Sequence, residues 1–461
     1  MNHKIEIDSL KNNEYLINDF IQTENSGNII SVLNRLGKLP KDFNPNPLLL
    51  ALKNENNKIR YLALKNLAKL TDIKLLNKYI EVIRTDNSAN VRREAVSAIG
   101  RLRNENTINF LIQLLKDNDP EVVLQAIRGL LVFKKNNRVK ECLKKLSNHP
   151  NEIIQDVINK EFKEKKIKKN IYKHSLSPDF LKNCVIQDDV RNVIKLIPDE
   201  SIHLTFTSPP YYNARDYSIY QSYDEYLKFL ETVFKDIHRI TKEGRFFILN
   251  TSPIIIPRVS RQHSSRRYPI PYDIHPLLIK MGWEFIDDII WVKPEASVKN
   301  RVAGFEQHRK PLAYKPNPRS ESIMVYRKKT DKLLDWNIKQ YFWETVEKSK
   351  IKESYETSNI WKIDPVFDKT HTAVFPIELC NRIIKLYSYI GDLVFDPFGG
   401  SGTMAKAAQE LRRYFLLTEM EPNYVNRIKE KLSQTTIFSN TKFQPTFLKS
   451  QDFKKIVEEC K

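Results

Sequence analysis

The sequence predicts an α/β domain built on a mostly parallel sheet, preceded by an all-α region of repeated helices. Three patterns predict this arrangement. Residues 1–165 carry almost no strand signal and repeat a helical pattern. Residues 202–206 form an apolar run of β-branched and aromatic residues that ends near two prolines, which is typical of a buried strand. Residues 393–419 run from strand through a glycine-rich turn and a helix to a second strand, the order that makes neighbouring parallel strands.

The composition is that of a large, strongly basic chain. Its 461 residues exceed what a single core usually holds, so two or three domains are expected. Hydrophobic residues make up 41% and charged residues 29%, with a net charge of +20. This excess of cations favours a polyanionic partner, of which nucleic acid is the commonest. Residues 1–20 do not resemble a signal peptide, and no apolar run approaches the roughly 20 residues of a membrane span, so a cytoplasmic location is expected.

The four cysteines predict neither a metal site nor a disulfide framework. Cys142, Cys184, Cys380 and Cys460 lie far apart with no paired spacing, and none follows a proline. Reduced thiols are the simpler interpretation, and no metal is expected.

The first 165 residues contain a helical repeat. Its anchors Ile59, Val91, Val122 and Ile153 are 32, 31 and 31 residues apart (91−59, 122−91 and 153−122). A second apolar helix lies between successive anchors, as in residues 107–115. Two helices per period resemble short HEAT-like repeats, which bury their apolar faces by stacking into an α-solenoid. An ordinary helical bundle is the alternative. Such a solenoid can dock a protein partner or lie along DNA.

The segment after the first predicted strand reads Thr207-Ser208-Pro209-Pro210-Tyr211-Tyr212 and is called the Pro-Pro loop here. Two successive prolines fix φ and remove two backbone donors, which leaves carbonyls, a hydroxyl and aromatic faces at the strand's C-terminal edge. Ligands bind at that edge in open α/β sheets. These groups suit an exocyclic amine of a base, since oxygen acceptors can hold its hydrogens and a tyrosine can stack on its ring. The alternative is a plain turn with two half-buried tyrosines.

A second motif, residues 396–403, is called the glycine loop and reads Asp-Pro-Phe-Gly-Gly-Ser-Gly-Thr. Gly399, Gly400 and Gly402 lie within four residues in a chain with only 11 glycines, so close backbone approach to a ligand is expected. Glu419 ends the following strand, where an acid can accept hydrogen bonds from ribose hydroxyls. The turn matches neither the dinucleotide fingerprint nor the phosphate-binding loop.

Together these motifs resemble the DNA amino-methyltransferases that use S-adenosylmethionine, in the permuted (beta-type) order whose Pro-Pro-Tyr loop precedes the cofactor loop. The segment from His371 to Pro376 is also similar to that family. The resemblance implies a Rossmann-like methyltransferase domain over residues 179–432, with a mixed, mostly parallel seven-stranded sheet. Asp188 replaces the glycine that usually precedes the acid at position 189, and Glu421 competes with Glu419 for the ribose role.

The resemblance also implies roles for single residues. Ser208, Pro209, Pro210 and Tyr211 would be catalytic, with Tyr211 or Tyr212 stacking on a base flipped out of the duplex. Asp396 would hold the cofactor's ammonium group. The implied cofactor-binding residues are Asp189, Thr207, Phe375, Asp396, Pro397, Phe398, Gly399, Gly400, Ser401, Gly402, Thr403 and Glu419.

In this family, Thr-Ser-Pro-Pro-Tyr accompanies mostly cytosine N4, whereas Asp or Asn before Pro-Pro accompanies mostly adenine N6. Cytosine N4 in double-stranded DNA is therefore expected, with adenine N6 as the alternative. Methylation of cytosine carbon-5 needs a thiolate after a proline, which this chain lacks. A modification role in a restriction or defence system is expected, with a possible protein partner on the repeats. A binding protein whose methyltransferase fold is non-catalytic is the alternative of another class.

Several basic segments are expected to contact DNA. Residues 166–178 form a basic linker between the two parts. Residues 330–358 are the best-placed insert for recognising a target sequence, and residues 433–461 form a C-terminal tail without a readable role. Solvated loops are the alternative interpretation. The DNA-binding candidates are Arg258, Arg261, Arg266, Arg267, Arg301, Arg309 and Lys310.

Overall fold

The computed structural model describes residues 10–11, 13–40, 42–162, 173–212, 220–256, 258–260, 262–297, 311, 318–352, 357–366, 374–433 and 444–460. The chain divides into two compact units, Met1–Lys166 and Ile167–Lys461. Within the described residues, no helix has the length and apolar character to cross a membrane. Of the DNA-binding candidates, Arg261, Arg301, Arg309 and Lys310 lie outside the described residues, as do His371 and most of the basic linker.

The first unit is helical throughout its described part. Its helices are α1 (Glu14–Thr23), α2 (Ser26–Arg35), α3 (Asn46–Ala51), α4 (Asn57–Leu67), α5 (Leu76–Thr85), α6 (Ala89–Arg101), α7 (Ile108–Gln113), α8 (Pro120–Leu131), α9 (Asn137–Lys144) and α10 (Glu152–Phe162). Asparagine and aspartate side chains cap several of them, as Asn56 does for α4 and Asp119 for α8.

The predicted repeat anchors are buried in three helices out of four. Ile59, Val91 and Val122 have no exposed surface, but Ile153 is 53% exposed and Ile154 is buried instead. The prediction of Ile153 is therefore wrong by one residue. Asn151 Oδ1 accepts from the backbone N–H groups of residues 153 and 154, which sets where α10 begins and hence which residue faces the core.

The second unit is built on a nine-stranded sheet in the order β11-β1-β10-β9-β2-β3-β7-β6-β8, and β4 and β5 form a separate two-stranded sheet. The strands are β1 (Cys184–Gln187), β2 (Ile202–Thr207), β3 (Thr241–Thr251), β4 (Ile254–Ile256), β5 (Arg266–Tyr268), β6 (Trp283–Val292), β7 (Ser320–Lys328), β8 (Ile360–Lys362), β9 (Leu393–Asp396), β10 (Tyr414–Glu419) and β11 (Thr446–Lys449). Among the described strands of the large sheet, only β7 runs antiparallel to its neighbours.

The predicted mixed, mostly parallel sheet is confirmed, but its predicted count of seven strands is too low. The two additional strands, β8 and β11, are edge strands of three and four residues. Strands this short carry too few residues for a readable alternation of apolar and polar side chains. The predicted permutation of the fold stays a prediction.

Helices cover both faces of the sheet, so two apolar layers form its core. The helices that contribute to these layers are α11 (Val190–Val193), α12 (Tyr223–Ile240), α13 (Ile270–Met281), α16 (Ile377–Tyr387), α17 (Thr403–Glu410), α18 (Pro422–Ser433) and α19 (Ser450–Glu459), and two short helices, α14 (Leu334–Ile338) and α15 (Trp343–Ser349), contribute no residue to either layer.

The expected recognition insert, residues 330–358, is anchored away from the Pro-Pro loop. Tyr341 Oη donates 2.6 Å to Asp392 Oδ1, just before β9 begins, and Asn337 Nδ2 donates 3.1 Å to the carbonyl of Gly244 near the start of β3. Both anchors lie at the N-terminal ends of parallel strands, whereas the Pro-Pro loop follows a C-terminal end. The part of the insert that carries α14 and Tyr341 therefore lies at the opposite edge of the sheet, and the recognition role expected of residues 330–358 stays a prediction.

The C-terminal residues are part of the sheet and do not form a free tail. β11 pairs in parallel with β1 along all four residues, and Phe453 and Val457 of α19 are buried. The side chain of Ser450 hydrogen-bonds Asp188, in the turn that follows β1.

Candidate active site

The Pro-Pro loop and the glycine loop meet at one edge of the sheet. Strands β2 and β9 are parallel neighbours, with Thr205 opposite Phe395, so their C-terminal ends lie side by side. Thr207 Oγ1 donates a 2.6 Å hydrogen bond to Asp396 Oδ1 and ties the start of one loop to the start of the other.

A cavity of about 610 Å³ opens beside these two loops. Concave sites of this size accommodate a nucleoside-sized ligand. The predicted site residues that line it are Asp189, Ser208, Pro209, Pro210, Tyr211, Phe375, Asp396, Pro397, Phe398, Gly399, Gly400, Ser401, Thr403 and Glu419. Of the predicted catalytic, stacking and cofactor-binding residues, Thr207, Tyr212 and Gly402 are not among the residues that line it.

The glycine loop packs tightly against the end of β10. The N–H of Gly399 donates 2.8 Å to the carbonyl of Thr418, and that of Gly400 donates 2.7 Å to Glu419 Oε2. Gly402 has φ of +71°, and a Cβ there would lie 2.9 Å from Ile428 Cγ1. Glycine at 402 is thus required by the fold itself, since both its backbone angle and its close contact exclude a side chain.

Two buried carboxyl groups, those of Asp396 and Glu419, line the cavity. Burial raises the pKa of Asp396 to about 7, although Thr207 and the N–H of Phe398 donate hydrogen bonds that oppose the shift. Burial also raises the pKa of Glu419, whose two oxygens accept from the N–H groups of Gly400 and Glu421. Backbone donors therefore fix the orientation of Glu419.

The cavity is rich in acids overall. Its lining includes six carboxyl residues and two basic residues. An excess of negative charge in a partly enclosed site attracts a cationic ligand. The acids are Asp188, Asp189, Glu225, Asp396, Glu419 and Glu421, and the bases are Arg191 and Lys228.

Asp189 has a partner that the sequence did not reveal. Its carboxylate caps α11 through a 2.8 Å hydrogen bond from Arg191 N and pairs with the Arg191 guanidinium at 2.6 Å. Burial would raise the pKa of Asp189, but the hydrogen bonds from Arg191 lower it overall. The Arg191 guanidinium also lies 5.4 Å from the ring centroid of Phe229.

The two tyrosines of the Pro-Pro loop have different surroundings. Tyr211 lines the cavity, whereas Tyr212 is only 7% exposed. The ring of Tyr212 lies 5.3 Å from Tyr223, 5.7 Å from Tyr226 and 4.9 Å from Tyr268. Tyr212 is therefore committed to an aromatic cluster, which corrects its expected base-stacking role and leaves Tyr211 as the candidate.

Phe375 lines the cavity with its ring stacked on Phe206, at a centroid distance of 4.7 Å. The adenine-packing role expected of Phe375 remains a prediction.

One wall of the cavity is formed by a single face of α12 and was not predicted from the sequence. Its residues follow the spacing of a helical face, the only sequence signal for them, and are Glu225, Lys228, Phe229 and Thr232.

The described DNA-binding candidates lie on a hairpin next to the Pro-Pro loop. Arg266 and Arg267 are exposed residues of β5, which pairs with β4, and Arg258 is exposed on the connection between them. Tyr268, at the end of β5, packs on Tyr212. The hairpin is thereby attached to the loop that carries Ser208.

Comparison with known proteins gives matches in both parts of the chain. A family model described as DNA methylase matches residues 202–430, and a model of HEAT repeats matches residues 76–159. The Type II beta methyltransferase M.BslI of Bacillus sp. (strain NEB-606) is 30% identical over 261 residues, covering 54% of this chain and 27% of that protein. The Type II methyltransferase M.MwoI of Methanothermobacter wolfeii is 26% identical over 242 residues, covering 50% of this chain and 31% of that protein. The chain thus spans less than a third of the length of either relative.

A solved structure is also similar to the chain. TTHA0409 of Thermus thermophilus, complexed with S-adenosyl-L-methionine, has a TM-score of 0.46 at 25% identity, covering 58% of this chain and 98% of that one. The resemblance predicted from the sequence motifs is confirmed by the family matches. The family model described as DNA methylase thus matches most of the second unit, and the HEAT-repeat model matches part of the first.

Proposed function

We propose that the protein is an S-adenosylmethionine-dependent DNA methyltransferase that methylates an exocyclic amine. The observation that carries the proposal is the shared cavity, which Ser208 and Tyr211 line together with the glycine loop, and Thr207 joins the two loops through Asp396. The match of residues 202–430 to the DNA methylase family model supports the same reaction class. Relatives with the designation Type II methyltransferase support a modification role in a restriction system.

The residues of the cavity fit S-adenosylmethionine, which supplies an electrophilic methyl group on a sulfonium. An acid-rich cavity favours this cationic molecule, and the glycine loop allows close approach of the backbone. Asp396 would hold the ammonium group and Glu419 the ribose hydroxyls. We propose that Asp189, which pairs with Arg191 in the unliganded protein, contacts the adenine side of the cofactor.

The Pro-Pro loop would hold the target base, extruded from the duplex at a cost of about a few kcal/mol of unstacking. Ser208 Oγ and the carbonyl of Pro209 would accept the amine hydrogens, and the ring of Tyr211 would stack on the base. Alignment and removal of water supply most of the acceleration in such a site. As the amine nitrogen bonds to the methyl carbon, the carbon–sulfur bond would break and its electron pair would return to sulfur, which leaves a neutral thioether, and the amine would lose one proton to solvent.

We propose cytosine N4 as the acceptor, because Thr-Ser precedes Pro-Pro in the loop. Adenine N6 is the competing acceptor, and its product is chemically distinct. The protein would act in the cytoplasm on double-stranded DNA, through the exposed Arg258, Arg266 and Arg267. A protein partner on the repeats, such as a restriction or defence component, is part of the same proposal.

The test is transfer of labelled methyl from S-adenosylmethionine to mixed duplex DNA. Pro209→Ala and Tyr211→Ala should abolish transfer, while Tyr272→Ala, at a tyrosine 73% exposed and outside the cavity, should not. Label in RNA or protein but not in DNA would refute the substrate class. Cofactor binding without any transfer would support the non-catalytic alternative.

A further inference from the structure

A polar cluster lies behind Tyr211 and comes from three neighbouring strands. It consists of Asn250 on β3, Lys293 just after β6, and Glu321 on β7. Asn250 Nδ2 donates 2.6 Å to Glu321 Oε2, and the Lys293 ammonium pairs with Glu321 Oε1. Asn250 is 2% exposed, and the side chains of Glu321 and Lys293 are 16% and 19% exposed. The carboxylate is therefore held from two sides in a largely buried position.

The cluster reaches the Pro-Pro loop through one hydroxyl. Tyr211 Oη donates to Glu321 Oε2 at 3.4 Å, and the side chains of Ser208 and Ser252 also hydrogen-bond this phenol. Burial raises the pKa of Tyr211, and the nearby Glu321 carboxylate raises it further. The phenol therefore keeps its proton and remains a donor towards the carboxylate.

We infer that Glu321 is a positioning residue for the methyl transfer reaction: it fixes the ring of Tyr211 through the phenol hydroxyl. Lys293 and Asn250 hold the carboxylate, and the carboxylate in turn limits rotation of the tyrosine that faces the cavity. This inference rests on the proposed function, since it assigns Glu321 a part in holding the target base. The family comparisons and the sequence motifs did not single out this residue.

A purely structural role is the competing explanation. An ion pair between Lys293 and Glu321 also joins the ends of β6 and β7, and such a pair can stabilise the sheet without affecting the reaction. The two roles differ in whether the effect of Glu321 passes through the Tyr211 hydroxyl. Tyr211→Phe removes only that hydroxyl and keeps the ring, so a double-mutant cycle separates them.

The experiment measures kcat, the KM for S-adenosylmethionine and the melting temperature of Glu321→Gln, Tyr211→Phe and the double variant. Each single variant should lower kcat about tenfold with little change in the cofactor KM, because the loss appears in the transition state. The double variant should be no slower than the slower single variant. Glu243→Gln removes the matched, partly exposed ion pair with Lys332 at 2.6 Å and should leave kcat unchanged.

The outcomes separate this inference from the proposed function. If the wild type transfers methyl to DNA but Glu321→Gln keeps full kcat, or if the two losses multiply, the positioning role is refuted and the proposed function stands. A lowered melting temperature with unchanged kcat likewise assigns Glu321 to the fold alone. If the wild type transfers no methyl to DNA, both are refuted.

Discussion

Asp396 makes cofactor binding depend on pH in a direction that the structure defines. The carboxyl is 3% exposed, and burial raises its pKa to about 7. To hold an ammonium group it must be ionised, so affinity should fall as the pH falls below this value. With a pKa of about 7, the ionised fraction drops from about 0.9 at pH 8 to about 0.1 at pH 6, which is about tenfold in affinity or ~1.4 kcal/mol.

Asp396→Asn provides the sharpest perturbation of this group. An asparagine oxygen can still accept from Thr207 Oγ1 and the N–H of Phe398, so both hydrogen bonds of Oδ1 are kept. The variant should bind S-adenosylmethionine weakly and without pH dependence between pH 6 and 8. The pKa of Asp396 is higher in the folded protein than in the unfolded chain, so ionisation of this carboxyl disfavours the folded, unliganded protein. The free energy of unfolding of the wild type should therefore fall as the pH rises towards 7. The variant should therefore melt no lower than the wild type at pH 8.

Isothermal titration calorimetry at pH 6, 7 and 8, on wild type and Asp396→Asn, measures these affinities. Melting curves of the unliganded proteins provide the control for folding. A wild-type affinity that is constant over this range would refute the assignment of the ammonium to Asp396. Equal binding by the variant would refute it as well.

Three further predictions concern elements that support the cavity. Gly402→Ala should lower the free energy of unfolding by about 1–2 kcal/mol because of the left-handed backbone at this position, and further because the new Cβ would contact Ile428. Chemical denaturation measures this loss, and an unchanged midpoint would contradict it. Arg245→Met leaves the fully buried Asp392 without this ion-pair partner and should lower the free energy of unfolding by about 3–5 kcal/mol in the same assay. A loss below about 1 kcal/mol would contradict a stabilising role for the pair. Deletion of residues 444–461 removes β11 and the hydrogen bond from Ser450 to Asp188, a residue that lines the cavity. The Kd for the cofactor should therefore rise, and an unchanged Kd would show that the cavity does not depend on this segment.

The two loops that meet at the cavity can be recognised in the sequence because their signals are local. The Pro-Pro loop and the glycine loop each follow a short apolar strand, and parallel strands bring their C-terminal ends to one edge. That Thr207 meets Asp396 was not predicted, since the contact joins residues that are 189 positions apart. Only the strand order of the folded sheet makes β2 and β9 neighbours.

The parts that sequence reasoning got wrong depend on tertiary packing. Tyr211 and Tyr212 are equivalent in the sequence, and only the cluster around Tyr268 shows which one is buried. The hydrogen bond that holds Tyr341 of the insert on Asp392 joins residues 51 positions apart, so the sequence does not reveal it. The shift from Ile153 to Ile154 has a local cause, because capping by Asn151 changes the phase of α10 by one residue.

The chemical identity of the product tests the account most directly. Duplex DNA incubated with the protein and S-adenosylmethionine, then digested to nucleosides, can be analysed by mass spectrometry for methylated bases. We expect N4-methylcytosine with the wild type and its loss with Pro209→Ala. N6-methyladenine alone would contradict the choice of acceptor, and the absence of any methylated base would contradict the proposal that this cavity joins a methyl donor to a flipped base.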